Sequence, residues 1–89
     1  RRARLVREAL LIATVSEWAE AEGFAVITIQ RPDLVQEGSI LGIRRNNGVL
    51  GQVQISQIYE GGQATADPHL FPNGLIDIQP GDELIVPPL

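Results

Sequence analysis

Between Val49 and Glu60 the apolar residues recur with a period of two and then slip. Successive side chains on a strand point to opposite sides, so Val49, Gly51, Val53 and Ile55 share one face. The next apolar aliphatic is Ile58, not residue 57. One extra residue near Ser56-Gln57 returns Ile58 to the same face, which is what a β-bulge does; a bulge also bends and twists its strand. Bent strands are what small barrels require where a stave passes from one sheet into the next. The run predicts a curved stave of a small antiparallel barrel, not a flat groove wall.

The flanking residues supply partners for that stave. Asn46-Asn47-Gly48 is a tight-hairpin signal, since Asn and Gly accept positive φ, and it predicts that 49–60 pairs antiparallel with the β-rich run 39–45. Phe24–Gln30 alternates with apolar residues on both faces, as a strand with little exposure does, and Arg31-Pro32-Asp33 breaks it. Gly61-Gly62 turns the chain into Gln63–Asp67, where Ala64 and Ala66 are small inward candidates. Pro68 to Gly74 reads as an irregular loop and Leu75–Gln79 as a short strand. Pro80-Gly81 has type II turn chemistry, and Glu83–Val86 is a last strand ended by Pro87-Pro88.

The N-terminal stretch has a different texture. Residues 3–22 are rich in Ala, Leu and Glu, contain no Pro or Gly, and read as one helix about 30 Å long, stopped by Gly23. Leu5, Ala9, Ile12, Ser16 and Ala19 fall at heptad-like spacing, and Val15 and Trp18 widen the apolar face. Leu5, Ile12, Val15 and Trp18 are accordingly the expected contact surface for a protein partner or a second copy. Arginines crowd the start of this stretch and Glu17, Glu20 and Glu22 its end, the reverse of what a helix dipole favours. That reversal is accounted for by a helix beginning further upstream or by antiparallel pairing. The first residue is not Met and the pattern is already running there, so the chain reads as part of a longer protein. The apolar run Ala9–Ala13 is bounded by Glu8 and Glu17 and is far short of a membrane span, so no direct membrane insertion is expected.

Composition narrows the function classes. Eighty-nine residues with 44% hydrophobic content and mean hydropathy +0.05 fit one small globular domain. There is no cysteine, hence no disulfide framework or thiolate metal site. Arg1, Arg2, Arg4 and Arg7 against Glu8 give the first eight residues +3, whereas Arg31, Arg44 and Arg45 against the other ten acids leave −7. An acidic body with a short basic end is a poor match to phosphate, so nucleic acid is not an expected partner.

Catalytic material is sparse. His69 is the one histidine, with only carboxylates to complete a metal site. Ser16, Ser39 and Ser56 lack a nucleophile-elbow context, and Asp82 and Glu83 adjoin on a strand, so they point apart. Every glycine lies beyond the N-terminal stretch, so none opens a phosphate-binding helix there. No residue is expected to be catalytic, to bind a cofactor or to hold a metal, no cofactor is expected, and the chain is not expected to be an enzyme. Tyr59 and Phe71 are candidate aromatic anchors or core covers.

Two resemblances follow from short motifs. Val35–Arg45, then Gly51–Ile58, Ala64-Thr65-Ala66 and Ile78–Ile85 with Gly81-Asp82 resemble the small β-barrel found after coiled-coil or helical segments in bacterial envelope proteins. The C-terminal domain of flagellar assembly protein T is one such barrel. Covering about residues 24–86, the resemblance implies an assembly or scaffold module without an active site, in a bacterial cell envelope or periplasm. Ile40-Leu41-Gly42-Ile43, Gly61-Gly62-Gln63-Ala64 and Gly81-Asp82 also resemble the landmarks of a PDZ-like domain. That resemblance implies a partner's C-terminal strand adding to the sheet edge at Gly42–Arg45, with Leu41, Gly42 and Ile43 as binding residues. Against it, only seven residues follow Asp82, where a groove-forming helix should lie, and Thr65–Gln79 holds two prolines in place of a short helix. The expected fold class is α+β, with an N-terminal helix over 1–23 and an antiparallel barrel of five or six short strands over 24–89. Whether Gln63–Ala66 is strand or helix separates the two resemblances.

Overall fold

The computed structural model describes residues 2–87 and shows a short N-terminal helix followed by a closed six-stranded antiparallel barrel. The elements are α1 (Arg2–Glu8), β1 (Ala13–Ala19), β2 (Phe24–Ile29), a 3₁₀ turn (Pro32–Leu34), β3 (Ile40–Arg45), β4 (Gly48–Tyr59), β5 (Gln63–Leu70) and β6 (Glu83–Ile85). Around the barrel the order is β1-β2-β5-β4-β3-β6. A hairpin (β1–β2) and a meander (β3–β4–β5) meet along β2–β5, and the three-residue β6 closes the remaining gap between β1 and β3. Closure satisfies strand edges that an open sheet would leave unpaired.

The slip in β4 is a bulge. Ile55 pairs with Ala66 and Gln57 with Thr65, leaving Ser56 as the extra residue and letting Ile58 pack against the core. A second irregularity lies between Gln52 and Val53, where the extra residue is His69 on the partner strand β5. In the hairpin ahead of it, Arg45 pairs with Gly48 and Asn46 takes the positive φ, at 59°. Gln63–Ala66 is strand, paired with β2 on one side and β4 on the other. Ala64 and Ala66 are fully buried beside Ala25, and small side chains on this wall leave volume for Ile27 and Ile55.

The single helix expected over 3–22 is not formed, and a barrel domain starting at residue 24 is correspondingly too short. The helix ends at Glu8, and residues 13–19 are the first stave. The physical cause is a bulge between Val15 and Glu17. Val15 and Trp18 pack on the same side because the extra residue at Ser16 spaces them by three, and with Ile12, which enters the core just ahead of β1, they imitate one face of a helix. Burial between β2 and β6 then overrides the helix propensity of the Ala- and Glu-rich stretch.

Leu75–Gln79 likewise forms no strand; β5 extends to Leu70 instead, and the chain from Phe71 to Asp82 is irregular. Ile78 from that stretch still enters the core. The Pro80-Gly81 turn forms with Gly81 at φ 93° and the Asp82 amide bonded to the Gln79 carbonyl. The Gly81 amide donates to Val15 O and Val15 N–H to Asp82 O, each at 2.8 Å, which extends the β1–β6 seam beyond the strand itself.

Candidate functional site

Three features stand out from the polar, well-paired surface: two arginine clusters and one apolar stretch. Arg44 and Arg45 follow each other at the end of β3 yet serve different elements. The Arg44 side chain is buried on the barrel's outside, with Nε donating to Glu83 Oε1 at 2.8 Å. Its Nη1 donates to the carbonyls of Val6 and Ala9, both at 2.8 Å, and more distantly to Arg7. A short helix ends with carbonyls that have no partner within the helix, and the guanidinium supplies one at the negative end of the dipole.

Arg45 grips the 77–82 stretch instead. Its Nε and Nη2 donate to the two oxygens of Asp82 at 2.8 Å, and Nη1 and Nη2 donate to Asp77. Asp82 is 5% exposed and also accepts the Gln79 amide, so one carboxylate holds both the arginine and the turn. Hydrogen bonds to Asp82, then to Asp77, raise the Arg45 pKa above its ordinary value and keep it charged throughout the working range. The adjacent carboxylates Asp82 and Glu83 are thus each committed to a different arginine.

The apolar stretch follows β5. Leu70, Leu75 and Ile76 are exposed, Leu75 by 76%. Leu75 also lines a shallow cleft of about 350 Å³ with Val49, Leu50, Pro72, Asn73 and Asp77. Phe71 anchors the stretch by packing over Gly51, where a Cβ would lie 2.5 Å from the ring and 2.7 Å from the Leu70 carbonyl. Only a glycine at 51 lets the chain cross the sheet this closely. A second depression of similar size runs along Asp33–Gln36 and Ser39.

The expected contact residues are not brought together. Ile12 and Val15 are in the barrel core and cannot meet a partner; Trp18 is partly buried against that core, and Leu5 alone is exposed, on α1. Leu41 and Ile43 are core residues too, and Gly42 is buried between Val49, Ile85 and Pro87. The edge at Gly42–Arg44 is paired with β6 and the other edge of β3 with β4, so an added strand there would have to displace β6. His69 is exposed near the end of β5 rather than in a loop, and Tyr59 is exposed at the end of β4.

Among the described residues no group of three His, Asp or Glu side chains is placed to hold a metal ion, and no helix is long and apolar enough to cross a membrane. No family model, curated protein or solved structure matches the chain.

Neither the apolar stretch nor the Arg44 cluster was singled out by sequence reasoning. Leu75-Ile76 just after Asn73-Gly74 is a visible signal, two large aliphatics in a loop context, but the pair is equally at home in a short strand. Arg44 carries a signal only in company: it ends an apolar strand.

Proposed function

We propose that this chain is a non-catalytic protein-interaction module in which a rigid barrel presents the stretch Leu70–Ile76 to a protein partner. The observation that carries the reading is the exposure of Leu70, Leu75 and Ile76 together beside the Val49–Leu50–Pro72 cleft. Scattered single exposed aliphatics need no explanation, but three large ones within seven residues and next to a cleft favour a contact surface. The Arg45–Asp82–Asp77 cluster supports it by fixing the far end of the same stretch, which lowers the entropy lost on binding. This keeps the assembly role implied by the resemblance to envelope barrels and moves its contact surface away from the N-terminal residues.

The test is site-specific photo-crosslinking in cells producing the chain, with a benzophenone amino acid at Leu75 or, as a control, at the exposed Glu22. A discrete adduct from position 75 that is missing from position 22, and lost in Leu70→Ser/Ile76→Ser, is the expected result; its mass tells a second copy from another protein. No adduct at 75, or the same pattern from both positions, overturns the reading.

A further inference from the structure

We propose that α1 is a strap that opens from the barrel as a unit, and that the Arg44 side chain is its latch. The barrel does not depend on α1 for closure: its first stave begins at Ala13, and β1 is paired on both sides without any residue of the helix. Seven residues are also far too few for a helix to persist alone in water. The ion pair within it among the described residues, Arg4–Glu8, is exposed, and such pairs add little.

What fixes the strap is local. Val6 is buried where α1 meets β4, while Leu5 is 58% exposed. Among the described residues the polar attachment is a single guanidinium, drawing the carbonyls of Val6, Arg7 and Ala9 onto the seam where β3 meets β6. The consequence of losing it is lopsided. Without the guanidinium, Val6 O keeps only the longer bond from the Ala9 amide, at 3.3 Å, while α1 stays docked, and under-satisfied buried carbonyls are disfavoured until water reaches them. Glu83, the other partner, is 41% exposed and can be hydrated where it stands. Release therefore falls on the helix and spares the barrel. Opening bares Val6 and the part of β4 beneath it, and frees a basic segment from an acidic body.

The experiment is native-state hydrogen exchange on the full chain, read residue by residue at increasing denaturant below the unfolding transition, with Arg44→Gln alongside. In the unaltered protein the amides of α1 and Ala9 are expected to exchange through an opening nearly independent of denaturant, while those of β2, β4 and β5 exchange by a denaturant-sensitive one. In Arg44→Gln the α1 amides should lose at least about tenfold in protection and the barrel amides less than about threefold. Trypsin should cut after Arg7 faster in step with that loss. Three outcomes overturn the proposal: α1 and barrel amides sharing one denaturant dependence in the unaltered chain, α1 protection within about twofold in Arg44→Gln, or loss of protection in helix and barrel together.

Discussion

Replacing Gly51 by Ala puts a methyl group where the Phe71 ring and the Leu70 carbonyl already are. Ordinary contact begins near 3.4 Å, and the new carbon would sit 2.5 and 2.6 Å from two ring carbons and 2.7 Å from the carbonyl oxygen, so its neighbours must retreat by about 0.7–0.9 Å. The ring is partly exposed and can swing, but Leu70 pairs with Gln52 in the β4–β5 ladder, so its carbonyl moves only with the strand. Overpacking of this kind costs about 2–3 kcal/mol. Gly51 does not have a positive φ, so alanine is free to adopt its backbone and regains about 0.4–1 kcal/mol by restricting the unfolded chain. The contact wins, for a net loss of about 1–2.5 kcal/mol. With a urea dependence of about 1–1.5 kcal/mol per molar, the midpoint falls by about 1–2 M, followed by the fluorescence of Trp18, the sole tryptophan. In a Phe71→Ala background the ring contacts vanish and the carbonyl contact stays, so the same change should cost about 1 kcal/mol less but not nothing. A midpoint that rises, or holds within about 0.3 M, refutes the close approach of loop and sheet.

Three further outcomes are expected. Ile12→Ala should destabilise by about 2–5 kcal/mol in denaturant unfolding and Leu5→Ala by less than about 0.5 kcal/mol, because the first is fully buried and the second is on the exposed side of α1. Asp82→Asn should cost about 1–3 kcal/mol, since it weakens both the Arg45 fork and the Gln79 amide bond at a buried position, whereas Asp77→Asn, half exposed, should cost no more than about 1 kcal/mol by the same measurement. Asp33 accepts two hydrogen bonds from Arg31, which hold its carboxyl below the ordinary aspartate value. A depressed folded pKa means the pair's contribution is complete above the unfolded aspartate pKa and is lost as pH falls through the folded one; a carboxyl ¹³C titration should show this, and Arg31→Ala should return Asp33 to the ordinary range.

How much of this was legible in the linear chain depended on whether a pattern had one structural source. The slip between Ile55 and Ile58 breaks an otherwise regular alternation, so it exposes its own bulge. At the start of β1 the bulge has no regular run around it, and the spacing of Ile12, Val15 and Trp18 is shared by a helix face and a kinked stave. Only the seam with β6, formed by residues far along the chain, decides between them. The double glycine and the alternating small residues suited Gln63–Ala66 to a strand, but the same glycines matched the turn before a PDZ-like helix, and only pairing with β2 and β4 decides. The Arg44 attachment could not be seen, because no local spacing tells a strand arginine that residues 6–9 will lie beside it. Leu75 and Ile76 were visible as aliphatics, but their exposure depends on the turn at 79–82 and on Phe71 settling over Gly51.

The three-residue stave β6 has a kinetic consequence. Ala13 pairs with Leu84 across almost the whole described chain, so closure is a long-range pairing, and folds dominated by such pairings form slowly. Until β6 arrives, β1 and β3 each carry a bare edge, and during synthesis those edges lie open longer than any other part of the sheet. The shortest strand thereby sets how long the nascent chain can pair with a neighbour instead of itself.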